Sequence, residues 1–271
     1  MRISAKTRQC IIIGDPVEHS LSPAMHNAAY RALGLDYIFT VARVTTDSLA
    51  AAVAGVRALG FRGLTVTIPH KIAILPLLDA LDPVAKKIGA VNTVVQDNGI
   101  LTGYNTDWLG TRTPLLSYGD LQGKRVALIG AGGAARAMAY AVTASGGHLS
   151  VFVRDPEKAK EFSDDFGARV FPLTEIAAVA EMDILLNSTP LGMGDQKDMT
   201  PIPRHYLRSH HIVFDAVYTP RKTRLLVEAA QAGARVIYGA DMLLHQGTAQ
   251  FTLYTGMPAP VDVMRSVLIP S

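Results

Sequence analysis

Within GLTVTIPHK, residues 63–71, a single lysine follows an apolar strand, with a hydroxyl four residues before it, a pairing able to act on a small polar ligand. Leu64, Val66 and Ile68 alternate with Thr65 and Thr67 in the period of a strand, and Pro69, which has no N–H, ends the ladder. Thr67 and Lys71 therefore stand at a strand-to-helix junction, where a rigid scaffold usually presents its working groups. An isolated lysine would more often lie along the surface with its ammonium in water. The reading thus depends on what the rest of the chain supplies.

A second chemical motif starts at Arg125. RVALIG is an almost continuous apolar strand, and it runs into GAGGAAR and a small-residue helix. Gly130 and Gly132 permit a tight turn and close backbone approach to a pyrophosphate, whose charge is met by free N–H groups at the helix N-terminus. Ala135 stands where helix and strand must pack closely. The following strand, residues 148–153, ends near the spacing of about 20 residues at which the ribose is read. An acidic side chain there would bond the 2′-OH of NAD, whereas Arg154 suits the 2′-phosphate of NADP, with Lys158 one turn later as a second cation. NADP is the expected cofactor, ahead of NAD. Asp155 could bond a ribose hydroxyl, repel the phosphate or cap the helix starting at Pro156, and the run Asp-Pro-Glu favours the cap.

The elements that must position these groups alternate between strand-like and helix-like, which argues for an α/β architecture with largely parallel sheets. Residues 9–15 form a strand, 22–35 a helix with Ser22 as its cap ahead of Pro23, 37–44 a strand and 46–59 a helix. Helical pieces at 72–81 and 83–88 follow, then strands 91–96 and 100–104 joined as a hairpin through Asp97-Asn98-Gly99. The pattern changes between 107 and 120, and a doubly wound unit continues with strands at 168–171, 183–187, 212–217 and 235–238. NSTPLGM, from Asn187 to Met193, leaves the carboxyl end of its strand, where ligands gather in open α/β sheets.

With 271 residues and 49% apolar content, the chain can bury the cores of one large or two modest domains, and two is the reading adopted. No run approaches the roughly 18 apolar residues of a membrane span. Cys10-Ile11-Ile12-Ile13 is too short, and too soon followed by Asp15, for a signal peptide. A cytoplasmic protein without a membrane partner is expected. The single cysteine, Cys10, rules out an intrachain disulfide and a Cys-based zinc cluster, and no other metal-ligand spacing is present. A net charge of +3 carried by scattered Lys and Arg does not form a nucleic-acid face. Small anionic molecules are the expected partners, with a homodimer left open.

Taken together, PVEHSLSPAMHN, VTIPHK, GAVNT, GYNTDWLG, GAGGAAR, NSTPLGM, FDAVY and GADMLLHQG resemble the shikimate dehydrogenase family over nearly the whole chain. The resemblance implies a substrate domain from residues 1–106 with helices 242–271 packing back onto it. It also implies a Rossmann-type NADP domain at 107–241 and an active site in the cleft between the two. The family reduces 3-dehydroshikimate to shikimate with NADPH, reversibly. Carried onto this chain, the resemblance assigns Ser20 and Ser22 to the substrate carboxylate, with Thr67 nearby. Lys71 and Asp107 become the catalytic pair, and Asn92, Tyr218 and Gln246 touch substrate. Gly130, Ala131, Gly132, Gly133, Ala134, Arg154, Lys158, Ala216 and Gly239 fall on the cofactor side, with Thr189 and Met193 as neighbours. His19, His26 and His70 lie inside motifs and are read as structural or as supports behind the site-lining residues.

The chemistry implied follows from charge. Adding hydride to a ketone carbon makes the oxygen an alkoxide, so a cation with a transferable proton must lie within hydrogen-bond reach, and Lys71 can be both. In the oxidative direction a neutral Lys71 would take the proton. Two positions depart from the family pattern: Thr65 replaces a common asparagine, and Val153-Arg154-Asp155 replaces Asn-Arg-Thr. Thr65 could admit quinate, against which Ser22 argues, and Asp155 leaves NAD use open. A quinate/shikimate dehydrogenase of relaxed cofactor choice is therefore the alternative enzyme. A non-catalytic NADP-binding sensor is the alternative outside catalysis, with Lys71 and Asp107 counting against it.

Overall fold

The isoleucine run at the chain's start gives its strand almost no polar face. In the computed structural model, which describes residues 3–269, that strand lies inside a sheet with a neighbour on each side. The chain divides into two units, one running to Thr106 and resuming at Leu244, the other Asp107–Leu243. Residues 1–2 and 270–271, at the ends of the spans assigned from sequence, lie outside the described residues.

In the first unit, β1 (Arg8–Gly14) pairs in parallel with β2 (Tyr37–Arg43) and β3 (Gly63–Val66). The crossovers run through α1 (Ser22–Ala32) and α2 (Leu49–Ala58). After β3 come the single-turn α3 (His70–Ala73), the short β4 (Ala80–Leu81) and α4 (Pro83–Ile88), capped by Asp82, whose Oδ1 accepts the Val84 N–H at 2.9 Å. β5 (Thr93–Asp97) and β6 (Ile100–Tyr104) form the expected antiparallel hairpin, turning on Asn98 and Gly99, both at positive φ. The sheet order is β2-β1-β3-β5-β6-β4, and Ile13, Leu64, Val66, Val94 and Leu101 pack beneath it with Val53 and Val56 of α2.

The second unit contains α5 (Asp107–Leu116), β7 (Arg125–Ile129), α6 (Gly133–Thr143), β8 (His148–Val153), α7 (Lys160–Phe166) and β9 (Arg169–Pro172). It continues with β10 (Ile184–Asn187), β11 (Ile212–Asp215), α8 (Arg224–Gln231) and β12 (Arg235–Ile237). Its sheet is wholly parallel, in the order β12-β11-β10-β7-β8-β9. The order reverses at β7, the switch point at which doubly wound sheets open a crevice for ligands. The division between units falls within α9 (Gly239–Thr255), and α10 (Val261–Leu268) packs on α1. No helix among the described residues is long and apolar enough to cross a membrane.

Several local expectations are corrected. Residues 72–81 are helical only in part: Ile72 and Ala73 end α3 and a 3₁₀ turn follows at Leu75–Leu77, but β4 occupies the end of the stretch and pairs in parallel with β6. Ser22 is the first residue of α1, with Leu21 at the cap position and no side-chain cap bond. The first sheet keeps parallel pairing of β1 with β2, β1 with β3 and β4 with β6, while β5 runs against both β3 and β6. Ile68, expected as a buried strand position, is exposed, since the β3 ladder ends at Val66.

A return of the chain closes the first unit. Tyr254 of α9 lies over Gly63: its carbonyl accepts Arg62 Nε at 2.8 Å and Tyr37 OH at 3.2 Å, and a Cβ on Gly63 would overlap its ring. Gly63→Ala is therefore expected to lower unfolding stability by about 1–3 kcal/mol through overpacking against a fully buried ring. Urea denaturation of the two proteins checks this, and equal midpoints would remove the constraint.

Candidate active site

In the first unit the working side chains leave one edge of the sheet. The N–H of Thr67 bonds Ile13 O at 3.0 Å, the N–H of Asp15 bonds Ile68 O at 2.9 Å, and the N–H of His70 returns to Thr67 O at 2.9 Å. These bonds tie the loop after β1 to the loop after β3. Lys71, in the short α3, is half-buried, and its backbone carbonyl accepts the Val91 N–H at 2.8 Å. Ser20 lies on the loop after β1 and Ser22 opens α1, where the Ser22 N–H donates to Ser20 Oγ at 3.3 Å and Ser22 is buried.

Because β5 runs antiparallel to β3, with Thr93 opposite Thr65, its start lies beside the end of β3, and Asn92 reaches the same edge. The backbone of Asn92 accepts Val66 N–H at 2.8 Å and donates to Tyr104 O at 3.1 Å. Its Oδ1 accepts the Thr106 N–H at 2.8 Å and the Thr93 hydroxyl at 2.7 Å. Its Nδ2 donates to Thr106 Oγ1 at 2.9 Å and Gln246 Oε1 at 3.3 Å. Asn92 and Gln246, brought from strand and C-terminal helix, thus meet directly, and both are buried.

Thr65 behaves differently from the expectation. Its hydroxyl lies 2.8 Å from Tyr254 OH and 3.5 Å from Gln250 Oε1, buried against α9, which removes the geometric ground for reading it as a wall that admits an extra substrate hydroxyl. His26 is fully buried and stacks on Phe39 at 4.5 Å between ring centroids, and burial pulls its pKa down to about 3, so it is a neutral core residue. His70 places Nε2 2.7 Å from Val44 O, also in the core. His19 is exposed.

Asp107 and Tyr218 belong to the second unit. Asp107 opens α5 and is buried, and its backbone carbonyl accepts the Thr111 hydroxyl at 3.1 Å. Tyr218 is half-buried, three residues past β11.

The turn after β7 fits a dinucleotide pyrophosphate. Gly130 adopts φ +105°, a region closed to ordinary side chains, and a Cβ on it would stand 2.6 Å from Ser188 Oγ. Gly132, at the cap of α6, has open space where a Cβ would project, so a ligand can approach the backbone there. Ala131, Gly133 and Ala134 flank it half-exposed, while Ala135 is buried against the sheet. Beside this turn, Asn187 Oδ1 accepts both the N–H and the hydroxyl of Thr189, at 3.0 and 2.7 Å, and the Ala216 N–H bonds Asn187 O at 2.9 Å. A Cβ on Gly239 would stand 2.7 Å from Ala216 O. Gly130, Thr189, Ala216 and Gly239 therefore line the carboxyl ends of adjacent strands β7, β10, β11 and β12. Met193 lies half-buried further along the loop after β10.

Arg154 follows β8 directly and is exposed, with no acidic side chain at that position. Asp155 does not cap a helix. Pro156 takes the cap position of the 3₁₀ turn Glu157–Ala159 without a side-chain bond, and Asp155 Oδ2 pairs instead with Lys158 Nζ at 3.5 Å. That pair is exposed, so it is worth little to stability. Its effect is to direct part of the local positive charge onto a carboxylate.

The sequence reading missed the residues that hold these loops. In the first unit they are Thr93, Thr106 and Gln250. In the second, Asp215 is fully buried, with Oδ1 accepting Asn187 Nδ2 at 2.9 Å and the Val217 N–H at 3.0 Å, and Oδ2 accepting Thr223 Oγ1 at 2.6 Å. The available signal was a polar residue closing an apolar run, Asn187 after Ile-Leu-Leu and Asp215 after Ile-Val-Phe.

Comparison with known proteins agrees in both units. Residues 12–94 match the family model described as shikimate dehydrogenase substrate binding domain, and 239–269 match the shikimate 5'-dehydrogenase C-terminal domain. Residues 125–217 match a model of NADP oxidoreductases described as coenzyme F420-dependent. A shikimate dehydrogenase (NADP(+)) of Moorella thermoacetica is 46% identical, covering 99% of this chain and 95% of its own length. The solved structure of shikimate 5-dehydrogenase from Thermus thermophilus, in complex with NADP(H) and shikimate, superposes with a TM-score of 0.88 at 37% identity over 96% of this chain and 98% of that one. Quinate dehydrogenase from Corynebacterium glutamicum, in complex with NAD, gives a TM-score of 0.87 at 33% identity over 96% and 98%.

Burial pushes the Asp215 carboxyl from its ordinary 3.8 up to about 6, against the opposing hydrogen bonds from Thr223, Val217 and Asn187. The folded state holds this proton more tightly than the unfolded chain does. The stability it gives is therefore complete below the ordinary carboxylate range and is lost as pH rises through about 6, a change on the order of 3 kcal/mol. Asp215→Asn, which keeps an acceptor for Val217 and Asn187, should be more stable relative to wild type at a pH of about 8 than at about 5. Thermal unfolding at both values reads the difference, and a gap that does not change with pH would refute it.

Proposed function

The chain belongs to the shikimate dehydrogenase family, and from that premise we propose that it catalyses the reversible, NADPH-dependent reduction of 3-dehydroshikimate to shikimate. The observation that carries the reading is the buried amide pair of Asn92 and Gln246 at the sheet edge that also carries the Thr67 and Lys71 loop. A cyclic polyol acid needs a set of fixed donors and acceptors, and buried amides supply both kinds. In this reading the Ser20 and Ser22 hydroxyls, with Thr67, take the substrate carboxylate, and Asn92, Tyr218 and Gln246 take its ring hydroxyls.

NADPH, when bound, supplies the hydride, and NADP⁺ accepts it in the reverse direction. As the ketone becomes an alcohol, negative charge develops on its oxygen, and the Lys71 ammonium stabilises that charge and gives up a proton to it. Asp107 is the second member of the expected catalytic pair, the carboxylate that would orient the reacting hydroxyl, and in the oxidative direction a neutral Lys71 takes the proton back. Gly130, Ala131, Gly132, Gly133 and Ala134 would hold the pyrophosphate, with Thr189, Met193, Ala216 and Gly239 alongside. Arg154 would pair with the 2′-phosphate, and Lys158 would add charge beyond what Asp155 draws from it. The single Cys10, buried and with its thiol pushed up to about 12 by burial, suits the reducing cytoplasm in which we set the reaction.

A second reading, a quinate/shikimate dehydrogenase with NAD or dual cofactor use, is favoured in its cofactor choice by one observation, the Asp155–Lys158 pair beside Arg154. Steady-state assays of shikimate and quinate, each with NADP and NAD, test both readings, and the expected order puts shikimate with NADP first in kcat/KM. A preference for NAD would sink the Arg154 assignment.

Lys71→Met should lower kcat by roughly 10²–10⁴ with the far-UV circular dichroism unchanged. A loss confined to the shikimate KM would leave Lys71 as a binding residue. Arg154→Ser should weaken NADP roughly 10- to 100-fold, the loss of a charge-assisted hydrogen bond, while leaving NAD turnover nearly unaffected. Equal losses with both cofactors would count against the phosphate contact.

A further inference from the structure

Four buried polar side chains of the first unit are given no contact with substrate in the proposed reaction: Thr65, Thr93, Gln250 and Tyr254. Gln246, Gln250 and Tyr254 recur at every fourth residue of α9 and so share one face of the helix. From that face a line of hydrogen bonds runs to Asn92, and its direction is determined atom by atom.

The Thr106 N–H can only donate, so the Asn92 atom facing it at 2.8 Å is the oxygen. The Thr93 hydroxyl, 2.7 Å from the same oxygen, must then donate to it. That leaves the lone pairs of Thr93 Oγ1 to receive Gln250 Nε2 at 2.9 Å, which turns Gln250 Oε1 toward Thr65 Oγ1 at 3.5 Å. Thr65, donating to Gln250, accepts from Tyr254 OH at 2.8 Å. At the other end, with the Asn92 oxygen fixed, its Nδ2 is the edge turned to Gln246 Oε1 at 3.3 Å, which settles which atom of the Gln246 amide faces Asn92.

We infer that Thr93 and Gln250 are positioning residues for substrate recognition: the Thr106 N–H selects the oxygen edge of Asn92, and the line Tyr254–Thr65–Gln250–Thr93 supplies a second donor to that oxygen and so holds the Asn92 amide, and Gln246 bonded to it, in the orientation that meets the substrate hydroxyls. The inference rests on the proposed function, because it takes Asn92 and Gln246 as the groups that touch substrate. An amide flipped by about 180° would offer an acceptor where a donor is needed and lose the hydroxyl it recognises.

Thr93→Val removes the donor to Asn92 Oδ1 and the acceptor for Gln250 with little change in volume, and Thr93→Ser keeps both. The valine variant should raise the shikimate KM roughly 10-fold. Its KM for NADP should stay at the wild-type value, and the serine variant should stay within about twofold of wild type throughout. Thr65→Val, which cuts the line one bond further away, should give a smaller rise in the same constant and serves if Thr93→Val does not fold. A lower melting temperature with an unchanged shikimate KM in the folded valine variants would overturn the inference, as would a serine variant as impaired as the valine one. Wild-type turnover of shikimate with NADP, measured alongside, separates the two levels. An inactive wild type that also fails to bind shikimate by calorimetry defeats the proposed function and this inference with it, whereas an active wild type with insensitive variants defeats this inference alone.

Discussion

A side-chain amide taken out of water must find partners for its carbonyl and both N–H bonds, and in the first unit the amide of Asn92 sets that condition. It stands where the sheet changes from parallel to antiparallel pairing, between β3 and β5. Its backbone bonds reach Val66 and Tyr104, and its side chain reaches Thr93, Thr106 and Gln246. Satisfying one residue thus locks the end of β3, the end of β6 and a helix from the far end of the chain. The loop with Thr67 and Lys71 starts at the first of these fixed points, which limits how far its lysine can stray.

The second unit solves a similar problem with different chemistry. Asn187 closes β10 and accepts from the backbone and hydroxyl of Thr189, while its Nδ2 is consumed by Asp215 at the end of β11. Here the satisfied network contains a carboxylate, and three hydrogen bonds do not fully offset its burial, so its pKa is raised. Rigidity at the ends of β10 and β11 is obtained with a pH-sensitive group, whereas the bonds from Asn92 to Thr93, Thr106 and Gln246 join neutral amides and hydroxyls. The difference follows from geometry: the Thr223 hydroxyl and the Val217 N–H both need an acceptor at Asp215, and a carboxylate offers only acceptors.

Much of this was legible in the sequence, for reasons specific to each element. The run RVALIG and GAGGAAR announced β7 and the turn into α6 because a strand buried on both faces reads as continuous apolar sequence. The hairpin at Asp97-Asn98-Gly99 followed from the need for positive φ. The end of the stretch 72–81 was misread because a short apolar stretch has no periodicity that separates a helix from a turn leading into an edge strand. Asp155 met the composition of a cap but lies before a proline that takes the cap position itself, and a lysine three residues on captured its carboxylate. The lines of Thr93, Gln250 and Thr65, and of Asn187 and Asp215, were not legible because each joins residues far apart in sequence, and nothing in local pattern specifies the partner.

The polar face of α9 explains why its register is not interchangeable. An amphipathic helix with a purely apolar face could slide or rotate against the sheet at modest cost, since dispersion and burial have little direction. Gln246, Gln250 and Tyr254 remove that freedom, because a step of one residue rotates the face by about 100° and would set buried amides against apolar side chains instead of Asn92, Thr93 and Thr65. Gly63 reinforces the same choice by leaving room for the Tyr254 ring at one place on the sheet. The C-terminal return thereby does more than cover the core. It delivers Gln246 to Asn92 at one height and one rotation, which hydrophobic packing alone would not supply.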